Sequence, residues 1–332
     1  MAYGSGNTIL ALDYNTFAQG GASVNHGVAN INTVWGVGTG DKGYGQSTTL
    51  PVVAGGTDTV TATQWSTMIA RLNSILTHQS GSGSGITAPT AGATIAYLST
   101  LSSSITTGFN NRLNATTNAT DVIGTAPAAY VWNTSTPTTA QIIRTATWAN
   151  ADQARYFFNA GGKLILTFSV TNTLGNSKGA DWASLLGTKM LSLTVGGYTN
   201  TRNGTGGTAT ATNTAVGYWN AGTAGQTVIT LTSASGTADY GSNSVSINVK
   251  TNGVQGSNGD VGTVMTFTIN LNDAAADTNT APTGIPVYSP AGTQPTQGNF
   301  NDALNLSITT NVTVRPPETS NLPTAISNPT IA

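Results

Sequence analysis

Apolar residues recur along this chain with two different spacings, and the change from one to the other divides the sequence. Between Thr63 and Gln79 the residues Trp65, Met68, Ile69, Leu72, Ile75 and Leu76 fall at helical intervals, which predicts one buried helical face. Thr61 or Thr63 can cap the start, and Ser80-Gly81 ends it. A second helical stretch runs from Tyr14 to Trp35 through Phe17, Val24, Val28, Ile31 and Val34, with Gly20-Gly21 as a break. A third runs from Ile95 to Leu113 through Leu98, Leu101, Ile105 and Phe109.

From about Ile142 the spacing becomes two. Leu164, Leu166, Phe168 and Val170 alternate with polar residues, as do Leu191, Leu193 and Val195, then Val245, Ile247 and Val249, then Met265, Phe267, Ile269 and Leu271. The longest run places Leu304, Leu306, Ile308, Val312 and Val314 on even positions. Strict alternation means one buried face and one polar face. With Ile229 and Leu231 this gives six to eight strands, the number expected of a sandwich.

The expected architecture is therefore α+β, mainly β: a helical assembly region over 1–115, a Thr/Ala/Pro-rich linker over 116–140, an antiparallel β-sandwich over 141–315, and a tail over 316–332 expected to run extended over another subunit. Ser80 to Gly85 reads as a flexible Ser/Gly stretch. Two long loops, 196–226 and 272–302, are expected to be ordered by neighbouring subunits.

Composition changes the picture from a generic domain to a surface built for neighbours. Only 7% of the 332 residues are charged, against about 25% in an ordinary globular chain. Glu occurs once, at Glu318, and Thr, Asn, Ser and Gly stand where charges usually do. Such a surface sheds little hydration on association, because few ions must be desolvated. The expectation is a self-associating protein of an extracellular particle. The net charge of −1 and the scattering of 11 basic residues offer no phosphate-binding stripe, so nucleic acid is not expected as a partner. There is no cysteine, no run of about 18 apolar residues, and no signal-peptide pattern after Met1, so disulfides, a membrane span and secretory export are not expected.

One segment is more specific: Trp148-Ala-Asn-Ala-Asp152-Gln-Ala-Arg155-Tyr156-Phe157-Phe158-Asn159-Ala-Gly161-Gly162-Lys-Leu164. It reads as a short aromatic helix stopped by a double glycine before a strand. It resembles a segment of virion structural proteins of tailed bacteriophages, particularly those related to the large contractile-tailed phages. Asp181-Trp182-Ala-Ser-Leu185-Leu186 looks like that family's second short helix, and Asn30-Ile31-Asn-Thr-Val34-Trp35-Gly-Val-Gly38-Thr-Gly40-Asp41-Lys-Gly43-Tyr44-Gly45-Gln46 resembles its early helix and glycine loop. The resemblance implies a structural component at the neck, tail, fibre or capsid surface, partnered by its own copies and by other virion proteins. No catalytic residue and no cofactor carries over.

Candidate chemistry is sparse. Gly38-x-Gly40-x-x-Gly43 has the letters of a dinucleotide loop, but a helix precedes it and none follows until Trp65, so a structural turn is the better reading. His26 and His78, on separate predicted helices, lack nearby acids and read as surface or packing residues. Asp273 and Asp277 with Asn270 and Asn272 match no defined calcium loop, and Asp41 and Asp58 stand alone. A glycosidase-like carboxylate pair is unsupported by twelve scattered acids. Asn-x-Thr triplets such as Asn114-Ala-Thr116 are expected by chance. Tyr198, Tyr218, Trp219 and Tyr240 lie in or beside the long loops, where they would pack on a neighbouring subunit or bind a host-surface glycan. The assembly and packing residues are expected to be Trp65, Leu72, Trp148, Tyr156, Phe157, Phe158 and, on an edge strand open to neighbours, Leu304, Leu306 and Ile308. The alternatives left open are a capsid decoration protein, a receptor-binding fibre, and a bacterial surface filament subunit.

Overall fold

The computed structural model describes residues 10–21, 25–55, 58–90, 93, 98–116, 120–123, 127–134, 138–175, 177–188, 193–195, 201–202, 208–211, 217–218, 221–233, 242–257, 259–274 and 303–332. N-terminal helices precede two packed antiparallel sheets. The helices are α1 (Ala11–Gln19), α2 (Ile31–Trp35), α3 (Ala62–Ser80) and α4 (Leu98–Asn110). The Tyr14–Trp35 stretch is thus two helices: Gly20 and Gly21 take φ of 85° and 114°, which stops α1 in a left-handed turn. α3 begins with a reciprocal capping box between Thr61 and Gln64 and ends at Gly81, φ 77°. Trp65, Met68, Ile69, Leu72 and Ile75 are buried on one face, against Tyr14, Trp35, Leu101 and Ile105. Gly108 of α4 lies close to Ile75 and Leu76, and its carbonyl accepts from Gln79 Nε2 at 2.8 Å. The Ser/Gly stretch is bound along α3, because Asn73 Oδ1 accepts from the Ser84 amide (2.8 Å) and hydroxyl (2.6 Å).

The strands are β1 (Val122–Ile123), β2 (Tyr130–Thr134), β3 (Thr139–Thr147), β4 (Lys163–Asn172), β5 (Leu193–Val195), β6 (Thr201–Arg202), β7 (Thr208–Ala211), β8 (Gln226–Thr232), β9 (Ser244–Thr251), β10 (Val264–Asn272), β11 (Leu304–Arg315) and β12 (Thr330–Ile331). Between them stand α5 (Ala151–Asn159) and α6 (Ser177–Ala183), the latter continuing into a π-helical turn at Ser184–Thr188. One sheet runs β1-β11-β4-β5-β6 with β2 also on β11, and the other runs β12-β3-β10-β9-β8-β7. Leu164, Leu166, Leu306 and Ile308 of the first share one core with Val245, Ile247, Phe267 and Ile269 of the second. The alternation in the sequence is matched by burial: every second side chain from Leu304 to Val314 is buried on β11, as are Met265, Phe267, Ile269 and Leu271 on β10.

Four further placements differ from expectation. Residues 116–140 carry two strands: β2 pairs with Leu304–Ile308 and β1 with Thr313–Val314. Trp132 anchors this stretch, 5.0 Å from the Trp182 ring. β11 is therefore not an edge, since β4 takes its other side through Leu306 to Arg315, and Leu304, Leu306 and Ile308 are core residues. The tail lies on its own chain: Leu322 is buried among the N-terminal helices and β12 pairs with β3. Two short strands, β6 and β7, also fall inside the stretch expected as a loop over 196–226. Segments of two to five residues are too short to display alternation, which is why the pattern missed them.

Candidate functional site

The aromatic helix α5 and the glycine loop that follows α2 meet each other. α5 starts at Asn150, whose side chain accepts from the Gln153 amide at 2.9 Å. Its sheet-facing side carries Ala154, Phe157 and Phe158, with Trp148 5.8 and 5.5 Å from the two phenyl rings. Its opposite side carries Arg155, Tyr156 and Asn159, and these hold the glycine loop.

Arg155 is fully buried. Its Nη1 donates to the Gly38 carbonyl (2.8 Å) and its Nη2 to the Val37 carbonyl (3.3 Å), while Asp152 Oδ1 accepts from Nε (3.2 Å) and Nη2 (2.5 Å). The planar fork of a guanidinium is what allows one side chain to serve a carboxylate and two carbonyls at once. One turn on, Asn159 Nδ2 lies among the carbonyls of Gly40 (3.0 Å), Lys42 (3.3 Å) and Gly43 (3.3 Å), and its Oδ1 accepts from the Tyr218 amide (3.1 Å).

The loop needs its glycines. Gly43 sits at φ 90°, where a Cβ would come within 2.5 Å of the Gly36 carbonyl oxygen. Gly45, φ 71°, lies flat against the Tyr156 ring. Several loop amides are committed: Gly40 N–H donates to the Gly256 carbonyl (2.6 Å), Lys42 to Thr39, and Gly45 to Gly36. A phosphate-cradling loop must offer such amides to its ligand, and these are engaged within the protein.

Two further ties close the junction. His78, at the end of α3, presents Nε2 to the Ala160 carbonyl at 3.0 Å, so the neutral ring carries its proton there. Its own carbonyl accepts from the Thr116 amide and hydroxyl, and the Thr116 carbonyl accepts from the Glu318 amide. Burial holds the His78 imidazole below its ordinary value, although the Ala160 carbonyl and the Glu318 charge act the other way. From the tail, the Thr324 amide donates to Gln46 Oε1 (2.7 Å) and Gln46 Nε2 to the Thr324 carbonyl (3.1 Å).

Three carboxylates at and around the junction face cations. Asp41 holds Lys42 (2.7 Å) and Arg112 (2.6 Å), Asp121 holds Arg315, and Asp273 holds a fully buried Lys178 at 2.7 Å. For Asp41, burial alone would raise the pKa, but the hydrogen bonds from Lys42 and Arg112 outweigh it and hold the carboxyl below its usual range. A carboxylate held charged in this way is unsuited to the protonated role in a glycosidase pair. Among the described residues, no three His, Asp or Glu side chains gather as a metal site, and no helix is long and apolar enough to cross a membrane.

Of the residues singled out in the sequence, Trp65 and Leu72 lie in the helical core, Trp148, Phe157 and Phe158 in the sandwich core, and Tyr156 at the junction. Tyr218 is buried rather than displayed, with its hydroxyl 3.1 Å from Gln255 Oε1. Tyr198, Trp219, Tyr240 and Asp277 lie outside the described residues. Asn270 and Asn272 are on the outer face of β10, away from the buried Asp273. His26 is in the turn between α1 and α2, not on a helix. Sequence reasoning passed over Arg155, Asn159 and Gln46 as actors; the one available signal was a cation inside an aromatic helix in a chain with so few charges. Comparison with family models, with curated proteins and with solved structures finds no match.

Proposed function

We propose that this chain is a non-enzymatic structural component of a bacteriophage virion that self-associates into a symmetric oligomer, associated with the neck, tail or fibre. The observation that supports it is the junction itself. The aromatic helix and the glycine loop, two of the segments that carry the resemblance and far apart in sequence, form one buried contact, Arg155 and Asn159 on the carbonyls of Val37, Gly38, Gly40, Lys42 and Gly43. The ion pairs Arg112–Asp41, Lys178–Asp273 and Arg315–Asp121 join residues far apart in sequence and so hold segments together. A load-sharing particle subunit has use for such cross-ties, and its nearly uncharged surface suits contact with identical neighbours.

The test is the molar mass of the full chain in solution by light scattering, with negative-stain images of the same sample. A defined oligomer or fibre is the expected result. A folded monomer would remove self-association, and host-polysaccharide cleavage abolished by changing one acidic residue would replace the reading with an enzyme.

A further inference from the structure

Among the described residues, one sheet edge is open along most of its length. Thr145 of β3 exchanges both backbone hydrogen bonds with Ala332 (2.8 and 3.0 Å), and Thr147 lies opposite Thr330. Backbone groups alternate in direction along a strand, so Thr139, Gln141 and Ile143 point theirs the same way as Thr145, away from β10. Only side chains meet them: Arg144 Nη1 donates to the Ile143 carbonyl (2.8 Å), and the Thr138 hydroxyl lies 3.4 Å from the Thr139 carbonyl. All three side chains are exposed, Ile143 by 51%.

The other sheet opens on the same flank. Arg144 Nε reaches the Thr310 carbonyl of β11 at 3.1 Å, beside the point where β1 and β2 leave residues 309–312 without a strand on that side. Val131 of β2, opposite Ser307, is 62% exposed. Natural edges are blunted by lysine, proline or a bulge. The segment Thr138-Thr-Ala-Gln-Ile-Ile143 has no charge and no proline, and β3 pairs with β10 without a register shift.

We infer that this edge is the contact between two copies of the chain: β3 of one protomer pairs antiparallel with β3 of its partner about a twofold axis near Gln141–Ile142, joining their sheets into one. The inference rests on the self-associating reading above and gives it a surface. A second copy is the favoured occupant because the segment is neutral and opposes no like charges when it meets itself, and because one twofold pairing satisfies the outward groups of both partners together. The chain's net charge of −1 adds little long-range repulsion between copies. The nearest cation, Arg144, is turned to Thr310 of its own chain.

Two variants test it. Gln141→Pro removes an outward N–H that β10 does not use, and Ile143→Lys sets a charge beside the axis. In the full chain, each is expected to halve the molar mass found by light scattering at a matched concentration, with Tm and far-UV circular dichroism unchanged. If the proline variant fails to fold, the lysine variant decides alone. A wild-type oligomer whose mass neither variant lowers would overturn the β3 contact while leaving self-association standing. A wild-type monomer at the highest soluble concentration would overturn both.

Discussion

The guanidinium of Arg155 donates to the backbone carbonyl of Gly38 at 2.8 Å, across 117 positions of sequence. This bond ties α5, which is part of the sandwich, to the glycine loop that follows α2. Because the side chain is fully buried, its loss leaves Asp152 Oδ1 and two carbonyls without this donor.

Arg155→Leu is accordingly expected to lower unfolding stability by about 3 kcal/mol, the order found when one member of a buried ion pair is removed. Arg155→Lys should recover little of it, since an ammonium on one stem cannot span Asp152 and both carbonyls. Urea denaturation of the three proteins at neutral pH measures this. A lysine variant as stable as wild type would show that the fork geometry is immaterial.

The glycine loop gives a paired comparison. Gly40 and Gly45 both have positive φ, 56° and 71°, but a Cβ on Gly40 meets nothing within 4 Å, whereas on Gly45 it runs into the Tyr156 ring. Gly40→Ala should therefore cost only backbone strain, about 1 kcal/mol, and Gly45→Ala at least twice that, about 2–4 kcal/mol. Thermal melts of the two variants separate conformation from crowding. Equal losses would mean that the Tyr156 ring moves aside freely.

How much of this was legible beforehand depended on which groups make each contact. The helical face of α3 and the even positions of β11 are side-chain patterns, and patterns of that kind are written in the letters. The partners of Arg155 and Asn159 are backbone carbonyls, which every residue has, so no spacing in the sequence could announce them. β1 and β2 were hidden because two and five residues in Thr/Ala/Pro-rich surroundings show no period. The tail was readable as extended from its prolines, but its destination on Gln46 and β3 is set by tertiary contact alone.

The His78 imidazole predicts a pH dependence with a definite sign. Burial lowers its folded pKa, so the unfolded chain takes up the proton first, and stability falls as pH drops below about 6.5 and is fully present above it. Facing groups are the Ala160 carbonyl, the Tyr44 ring 5.2 Å away and the Glu318 carboxylate. His26 is lowered too, by burial and by Arg155 and Lys42, and shares the window. Asp41, Asp121 and Glu318 are held low and contribute only to losses below about pH 4. His78→Gln keeps a donor toward Ala160 without a titrating ring. The difference in urea midpoint between about pH 7.5 and about pH 5.5 should therefore shrink in that variant, leaving the part due to His26. An unchanged difference would show that His78 protonates without cost.

β11 carries the last expectation at the one place where its inward row is interrupted. Leu304, Leu306, Ile308, Val312 and Val314 surround Thr310, which is fully buried with its hydroxyl unpartnered. Its carbonyl, not its side chain, receives Arg144. Valine has nearly the same shape and no polar atom, so Thr310→Val removes a desolvated hydroxyl and leaves the Arg144 bond in place. The variant should be more stable than wild type by about 1 kcal/mol. A higher urea midpoint with an unchanged slope is the measurement that checks it. A destabilised variant would mean that the hydroxyl is hydrogen-bonded in solution, and that the polar break in the row serves the fold rather than weakening it.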